Sequence, residues 1–305
     1  MHKLVHAWGH DRLDMEQRQA SSLAALDLLR EAIAGHEEDL SWQRRVVPHV
    51  VASFSAISAA CGPPYRPTYL ERVALWTLGD LLRRLGRWED EYAVQLFLNQ
   101  ATVVALGPEH SETLGNMNNL AVVLGEQGKY KQAEEMYRQT LRSREEVLGP
   151  KHPDTLGSMN NLALVLYQQG KYEQAEEIHR QTLKSREEVL GLEHPDTLGS
   201  IHNLAVVLYH QGKYDQAKEM HRQTLKSREE LLGLEHPDTL RSMDGLALVL
   251  YQQGKYDQAE EMHRQTLKLR KEVLGVKHPD TLVCINNLAL VLREQGKHEQ
   301  AEGIN

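Results

Sequence analysis

Residues 151–192 and 193–234 are nearly the same 42 residues written twice, identical at 33 of 42 positions. A chain that restates itself at a fixed period is not built as ordinary globular domains. Each copy is a supersecondary unit that buries its apolar face only by stacking on its neighbours. The period extends in both directions: Gly86, Gly128, Gly170, Gly212, Gly254 and Gly296 recur at constant steps of 42. The array therefore divides into a degenerate copy at 67–108, full copies at 109–150, 151–192, 193–234 and 235–276, and a shortened copy at 277–305. A helical segment, 1–62, precedes it.

One copy shows why the unit is a helix pair. Pro153 suits a helix's first turn, which needs no donor, and Asp154 can cap free amides and complement the positive end of the dipole. Leu156, Met159, Leu162, Ala163 and Leu166 then fall on one face at helical spacing, up to about Gln169. Gly170-Lys171 makes the turn. A second helix over 172–190 is expected to bury Tyr172, Ala175, Ile178, Leu183 and Val189, to place Glu176 four residues before Arg180 as an ion pair, and to end at Gly191. The fold class is all-α, a solenoid of antiparallel helix pairs. The degenerate copy carries Trp88 where later copies have tyrosine and Glu91 where they have alanine, as terminal repeats often do.

Upstream, Leu23, Leu26, Leu29 and Ile33 predict a helix over 19–34, and a second is expected over 42–60. Gly62-Pro63-Pro64 and Pro67 end it. Residues 1–13 lack the apolar run of a secretory signal, and the most apolar stretch, 46–61, is too short and too interrupted to span a bilayer. No membrane association is expected. The net charge of −8 leaves no basic field for phosphates, so nucleic acid is not an expected partner. Cys61 and Cys284 stand alone, which fits a reducing compartment and predicts a cytoplasmic protein.

The Asn161-Leu162-Ala163, Gly170-Lys171-Tyr172 and Ala175 pattern resembles the tetratricopeptide repeat. The 42-residue period and His194-Pro195-Asp196-Thr197 with its copies resemble the kinesin light chain type specifically. The resemblance implies a right-handed superhelix whose first helices line a concave, peptide-binding groove. His6-Ala7-Trp8, Asp11-Arg12-Leu13 and the Arg44-Arg45-Val46-Val47-Pro48-His49 core resemble the junction after the winged-helix region of fungal STAND-type (NB-ARC-like) NTPases. That would make this chain the sensor end of a larger machine.

On the implied groove, positions four and seven residues apart share a face, which selects Asn160, Asn161, Leu164, Tyr167 and Gln168. One ladder is Asn119, Asn161, Asn203, Gly245 and Asn287. Another is Asn118, Asn160, His202, Asp244 and Asn286. Carboxamides both donate and accept, so spaced asparagines can hold an extended peptide backbone; they can equally satisfy neighbouring backbone groups. Tyr167, Tyr209, Tyr251 and Arg293 form a third set, and the more variable Gly157, Gly199, Arg241 and Val283 are the candidate source of specificity. Asp244 and Gly245 break both ladders in one copy, by drift or by a change in the bound peptide.

No catalytic residue, metal ligand or cofactor is expected. His110, His152, His194, His236 and His278 come one per copy, and packed helices about 8–10 Å apart hold them beyond shared coordination. His179, His221 and His263 stand where the repeat usually has an aromatic residue and are expected to be buried or half-buried. Gly170-Lys171 lacks the earlier glycine and the serine or threonine of a phosphate loop. Glu187-Glu188 and its copies read as solvated surface.

Three functions compete. A scaffold holding a protein or peptide, as the recognition part of a STAND-type protein, is favoured. A kinesin light chain-like cargo adaptor would need sustained heptads, which 19–60 does not offer. An enzyme with its site in the N-terminal helices would have to enclose a pocket with two short helices. Finally, Leu288 and Leu292 of the shortened copy are expected to lack cover, which predicts self-association or a missing continuation.

Overall fold

The computed structural model describes residues 15–36, 39–60 and 65–304. The expectations for residues 1–13, Cys61 and Gly62-Pro63-Pro64 lie outside these. All regular structure among the described residues is helical. Cα proximity separates two compact units, 1–165 and 166–305.

The first unit contains α1 (Met15–Ala34), α2 (Leu40–Ala60), α3 (Tyr69–Arg84), α4 (Trp88–Leu106), α5 (Ser111–Glu126), α6 (Tyr130–Val147) and most of α7 (Pro153–Gln168). The two upstream helices begin slightly earlier than their spacing predicts. They form a pair of their own, and α1 also packs on α3. Leu26 and Ile33 of α1, Val50 and Ile57 of α2, and Leu75, Leu78 and Leu82 of α3 share one core. The N-terminal segment thus covers the apolar face that the degenerate copy would otherwise present to water. Glu91 is fully buried in the slot that alanine occupies in later copies, and Arg83 Nε donates to its carboxylate at 2.7 Å. Burial raises the Glu91 pKa against that ion pair.

The second unit runs from the end of α7 through α8 (Tyr172–Leu190), α9 (Pro195–His210), α10 (Tyr214–Leu232), α11 (Pro237–Gln252), α12 (Tyr256–Val273), α13 (Pro279–Glu294) and the short α14 (His298–Glu302). From α8 to α14, each helix packs on the next. The first helices of successive copies also touch, α9 with α11 and α11 with α13, and so form one layer.

Local chemistry repeats with the sequence. Gly170, with φ 75°, makes the turn inside a pair, and Gly191, with φ 88°, ends the second helix; both conformations favour a residue without Cβ. The N-cap differs from expectation. His152 Nδ1 accepts from the Asp154 amide at 3.2 Å, and His110, His194, His236 and His278 do the same for their own helices. The aspartate sits two residues inside the cap, near the helix's positive end. These one-per-copy imidazoles are helix caps.

Leu288 and Leu292 are not uncovered, contrary to expectation. They are buried with Leu267 and Ala301, and the partly buried Ile304 packs against them, because even the short α14 and the residues after it lie over them. The exposed apolar residues of α13 are Leu282, Val283 and Leu290.

Candidate functional site

The second helices were expected to bury an apolar stripe; Ala175 is buried and Tyr172, Ile178 and Leu183 are half-buried, but the other fully buried positions are polar. In α8 the fully or nearly buried residues are Ala175, His179, Thr182 and Arg186, while Val189 is 46% exposed. Arg186 Nη1 donates to the Asp196 carbonyl and to Ser200 Oγ, both at 2.8 Å. Arg144 makes the same pair of bonds to Asp154 and Ser158, and Arg228 to Asp238 and Ser242. A guanidinium with rigidly placed donors thus ties the second helix to the first helix of the next copy in 109–150, 151–192 and 193–234. The signal for it was present as an arginine and a serine, each recurring at steps of 42.

Next to this tie lies the outer asparagine ladder. Asn118 Oδ1 accepts from Ser158 Oγ at 3.3 Å, so it extends the Arg144–Ser158 chain. Asp244 departs from asparagine for a reason visible in the next copy. Cys284 replaces the serine there, and Arg270, with its Nη1 on the Asp280 carbonyl at 2.6 Å, takes the Asp244 carboxylate as its second partner. The carboxylate supplies the acceptor that the thiol cannot.

Gly245 is explained by its neighbours too. His202 stands in a ladder position that is otherwise asparagine or aspartate, and its ring meets His221 edge-on at 5.3 Å. A Cβ at 245 would lie 2.5 Å from His221 Cε1. The bulk of His202 on one side of His221 leaves room only for glycine on the other. Burial depresses the His179 and His221 pKa to about 4 and that of His202 to about 3, the last also through His221 and two arginines.

Asp244, His263 and Cys284 bring three metal-ligating groups within 4.8 Å of one another, a convergence that reasoning by copy did not anticipate. Its chemistry favours packing. Arg270 already neutralises Asp244, the Cys284 thiol donates to the His263 carbonyl at 3.5 Å, and burial beside Asp244 pushes that thiol up to about 12. A dication would have to settle against a buried guanidinium.

The tyrosine set is laced from copy to copy. Tyr167 Oη and His210 Nε2 are 2.7 Å apart, Gln252 Nε2 donates to Tyr209 Oη at 3.0 Å, and the Tyr251 hydroxyl bonds to Glu294. Each ring also packs on the tyrosine that opens its own second helix, at 5.7 Å. Asn119, Asn160, Asn161, Asn203 and Asn287 are half-buried, whereas Gln168, Arg241, Asn286 and Arg293 are exposed. Arg241 pairs with Asp238 at 3.2 Å. The variable set faces open space: nothing lies within 4 Å of a Cβ built on Gly157 or Gly199, and Val283 is exposed.

Solved structures share this architecture. Crystal structures of a Podosopora anserina protein described as having kinesin light chain nearly identical TPR-like repeats match with TM-scores of 0.58 and 0.56. They are 24% and 27% identical, covering 66% and 64% of this chain and 95% and 93% of theirs. BtubC (BKLC) from P. vanneervenii matches with a TM-score of 0.56 and 22% identity, over 78% of this chain and 89% of that one. No curated protein sequence matches significantly. The tetratricopeptide repeat model matches residues 69–146, 112–188, 196–272 and 245–304. With nearly everything from 69 to 304 covered, the chain belongs to the tetratricopeptide repeat family.

Proposed function

We propose that this chain is a protein-interaction scaffold that holds an extended peptide or a partner protein against the inner faces of its first helices. The observation that carries the reading is a division of labour within those helices. Positions that bind helices together are constant or change in matched sets, while Gly157, Gly199, Arg241 and Val283 vary and face open space. A surface that varies on an invariant frame is where a repeat protein places specificity. Asn118, Asn119, Asn160 and Asn161 would serve in residues 1–165. In 166–305 the corresponding set is Tyr167, Gln168, His202, Asn203, Tyr209, Arg241, Asp244, Tyr251, Asn286, Asn287 and Arg293. His202 and Asp244 would act from the positions their packing partners give them. The likeness to kinesin light chain-type repeats supports a scaffold, and the N-terminal resemblance supports the recognition part of a cytoplasmic STAND-type protein. No helix among the described residues is long and apolar enough to cross a membrane.

Peptides selected against the chain from a displayed random library test the groove. Binding should fall about tenfold or more in Arg241→Gly and Asn287→Ala, with helicity and melting temperature unchanged. Selected peptides indifferent to both substitutions, or a fall in helicity that tracks the loss of binding, would overturn the assignment.

A further inference from the structure

The exposed edges of the second helices are also laced from copy to copy, by charge. Glu176 pairs with Arg180 at 2.9 Å on its own helix and with Lys213 at 2.7 Å in the next copy, and Arg180 reaches Gln216 at 3.3 Å. Glu260 repeats the arrangement with Arg264, Lys297 and Gln300. Between these two copies the glutamate position is occupied by Lys218, the only charge reversal separating residues 151–192 from 193–234 apart from Lys151 against Glu193.

The reversal dismantles the lacing. Lys255, which would have met a carboxylate, meets Lys218, and that contact holds the Lys255 ammonium below its usual range. Its Nζ donates instead to the neutral Gln253 Oε1 at 2.8 Å. Arg222 loses the acid four residues before it and has no hydrogen-bond or ion-pair partner among the described residues. With the bridge to Gln258 unmade, the space between α10 and α12 is an open cleft of about 460 Å³. Lys218 and Arg222 form one wall, Gln258, Glu261, Met262 and Gln265 the other, and Leu246 and Leu250 of α11 the floor. This volume falls in the usual range for ligand sites. Two cations of the lining, Lys218 and Arg222, have no ion-pair partner among the described residues, and set beside an apolar floor they call for an occupant carrying both features, while Lys255 beside Lys218 has Asp215 near it.

We propose that this cleft docks an acidic segment of a partner polypeptide, with carboxylates on Lys218 and Arg222 and an intervening apolar side chain on Leu246, Leu250 and Met262. Glu261, the one acid in the lining, keeps the occupant's charge on the α10 side. The adaptable thioether of Met262 suits a floor that must fit more than one apolar side chain. The walls of the cleft are second helices, and its floor residues on α11 are not among those assigned to the groove.

Fluorescence anisotropy with a labelled peptide of alternating aspartate and leucine tests the proposal on the full chain. Binding is expected to weaken about tenfold or more in Lys218→Glu, which restores the residue of the neighbouring copies and so leaves folding intact. It should weaken similarly when asparagine replaces aspartate in the peptide, fall with added salt, and be unchanged in Arg241→Gly. Glu176→Lys should open a second cleft and raise the stoichiometry from one to two. Indifference to Lys218→Glu, equal binding of the asparagine peptide, or equal binding of a single-stranded oligonucleotide that Lys218→Glu abolishes would overturn it.

Discussion

Asp244 and Cys284 occupy different copies yet act on one buried arginine, so their substitutions should not be additive. Arg270 is 6% exposed at its side chain and Asp244 13%. Breaking a buried ion pair by removing one partner costs about 3–5 kcal/mol. Asp244→Asn retains an oxygen that can accept one hydrogen bond from the guanidinium, which places it at the low end, about 3 kcal/mol. Cys284→Ser alone offers the hydroxyl that Arg228 finds at 2.9 Å on Ser242, while Asp244 already satisfies the same group. Its effect should stay within about 1 kcal/mol. The double variant rebuilds the Asn118–Ser158–Arg144 chain of the first unit, so the hydroxyl should recover most of the loss. The expected coupling is about 2 kcal/mol, within the range measured for residues sharing one polar network. Urea unfolding of the four proteins measures it, with the slopes compared because repeat arrays can unfold in parts. Additive effects would refute the view that the thiol and the carboxylate are exchanged for one another.

The crowding around His221 makes a second prediction: Gly245→Asn should cost about 1–3 kcal/mol by overpacking, and His202→Asn should restore it by letting the imidazole move back; no rescue would sink the explanation. Acid sensitivity supplies a third. His179, His202 and His221 have depressed folded pKa values, so below about pH 6.5 the unfolded chain binds protons that the folded chain refuses, and stability falls as the pH drops towards about 4. Each imidazole contributes about 1.4 kcal/mol per pH unit. His179→Tyr, which installs the residue found as the buried Tyr137 of the preceding copy, should therefore reduce the stability lost between pH 6.5 and 5 by about 2 kcal/mol in urea melts, and an unchanged loss would contradict it.

The helix pairs were legible because leucine, alanine and glycine mark them by spacing alone. Leu156, Leu162 and Ala163 are buried where their period places them, and Gly170 and Gly191 take the positive φ that their turns require. The polar stripe on the second helix was not legible that way. Hydrophobic periodicity assigns Val189 to the core and passes over Arg186, yet Val189 is exposed and Arg186 buried, because the arginine's partners, the Asp196 carbonyl and Ser200, lie on the next copy's first helix. The caps were missed for a related reason. A histidine before Pro-Asp reads as surface until its Nδ1 is seen accepting the amide two residues on. Of the residues selected for the implied groove, Gln168, Asn286 and Arg293 are exposed, while the tyrosines are laced to neighbouring copies.

Departures between near-identical copies therefore belong to two kinds that sequence comparison alone does not separate. Some are closed within the fold. Thr102 stands where later copies have the buried arginine, and Asn116 stands where they have its serine, so that Asn116 Nδ2 donates to Thr102 Oγ1 at 3.2 Å. The arginine tie is thus replaced by a shorter one with both ends changed together. Asp244 with Cys284, and His202 with Gly245, follow the same logic: each oddity has its complement one copy further along. Lys218 has none, for Lys255 and Arg222 remain as they would be beside a glutamate. A substitution matched across a helix interface has its cause inside the molecule. One left unmatched at the surface, with Lys218 and Arg222 short of an acid and a cleft opened beside them, is what the proposed acidic segment would complement.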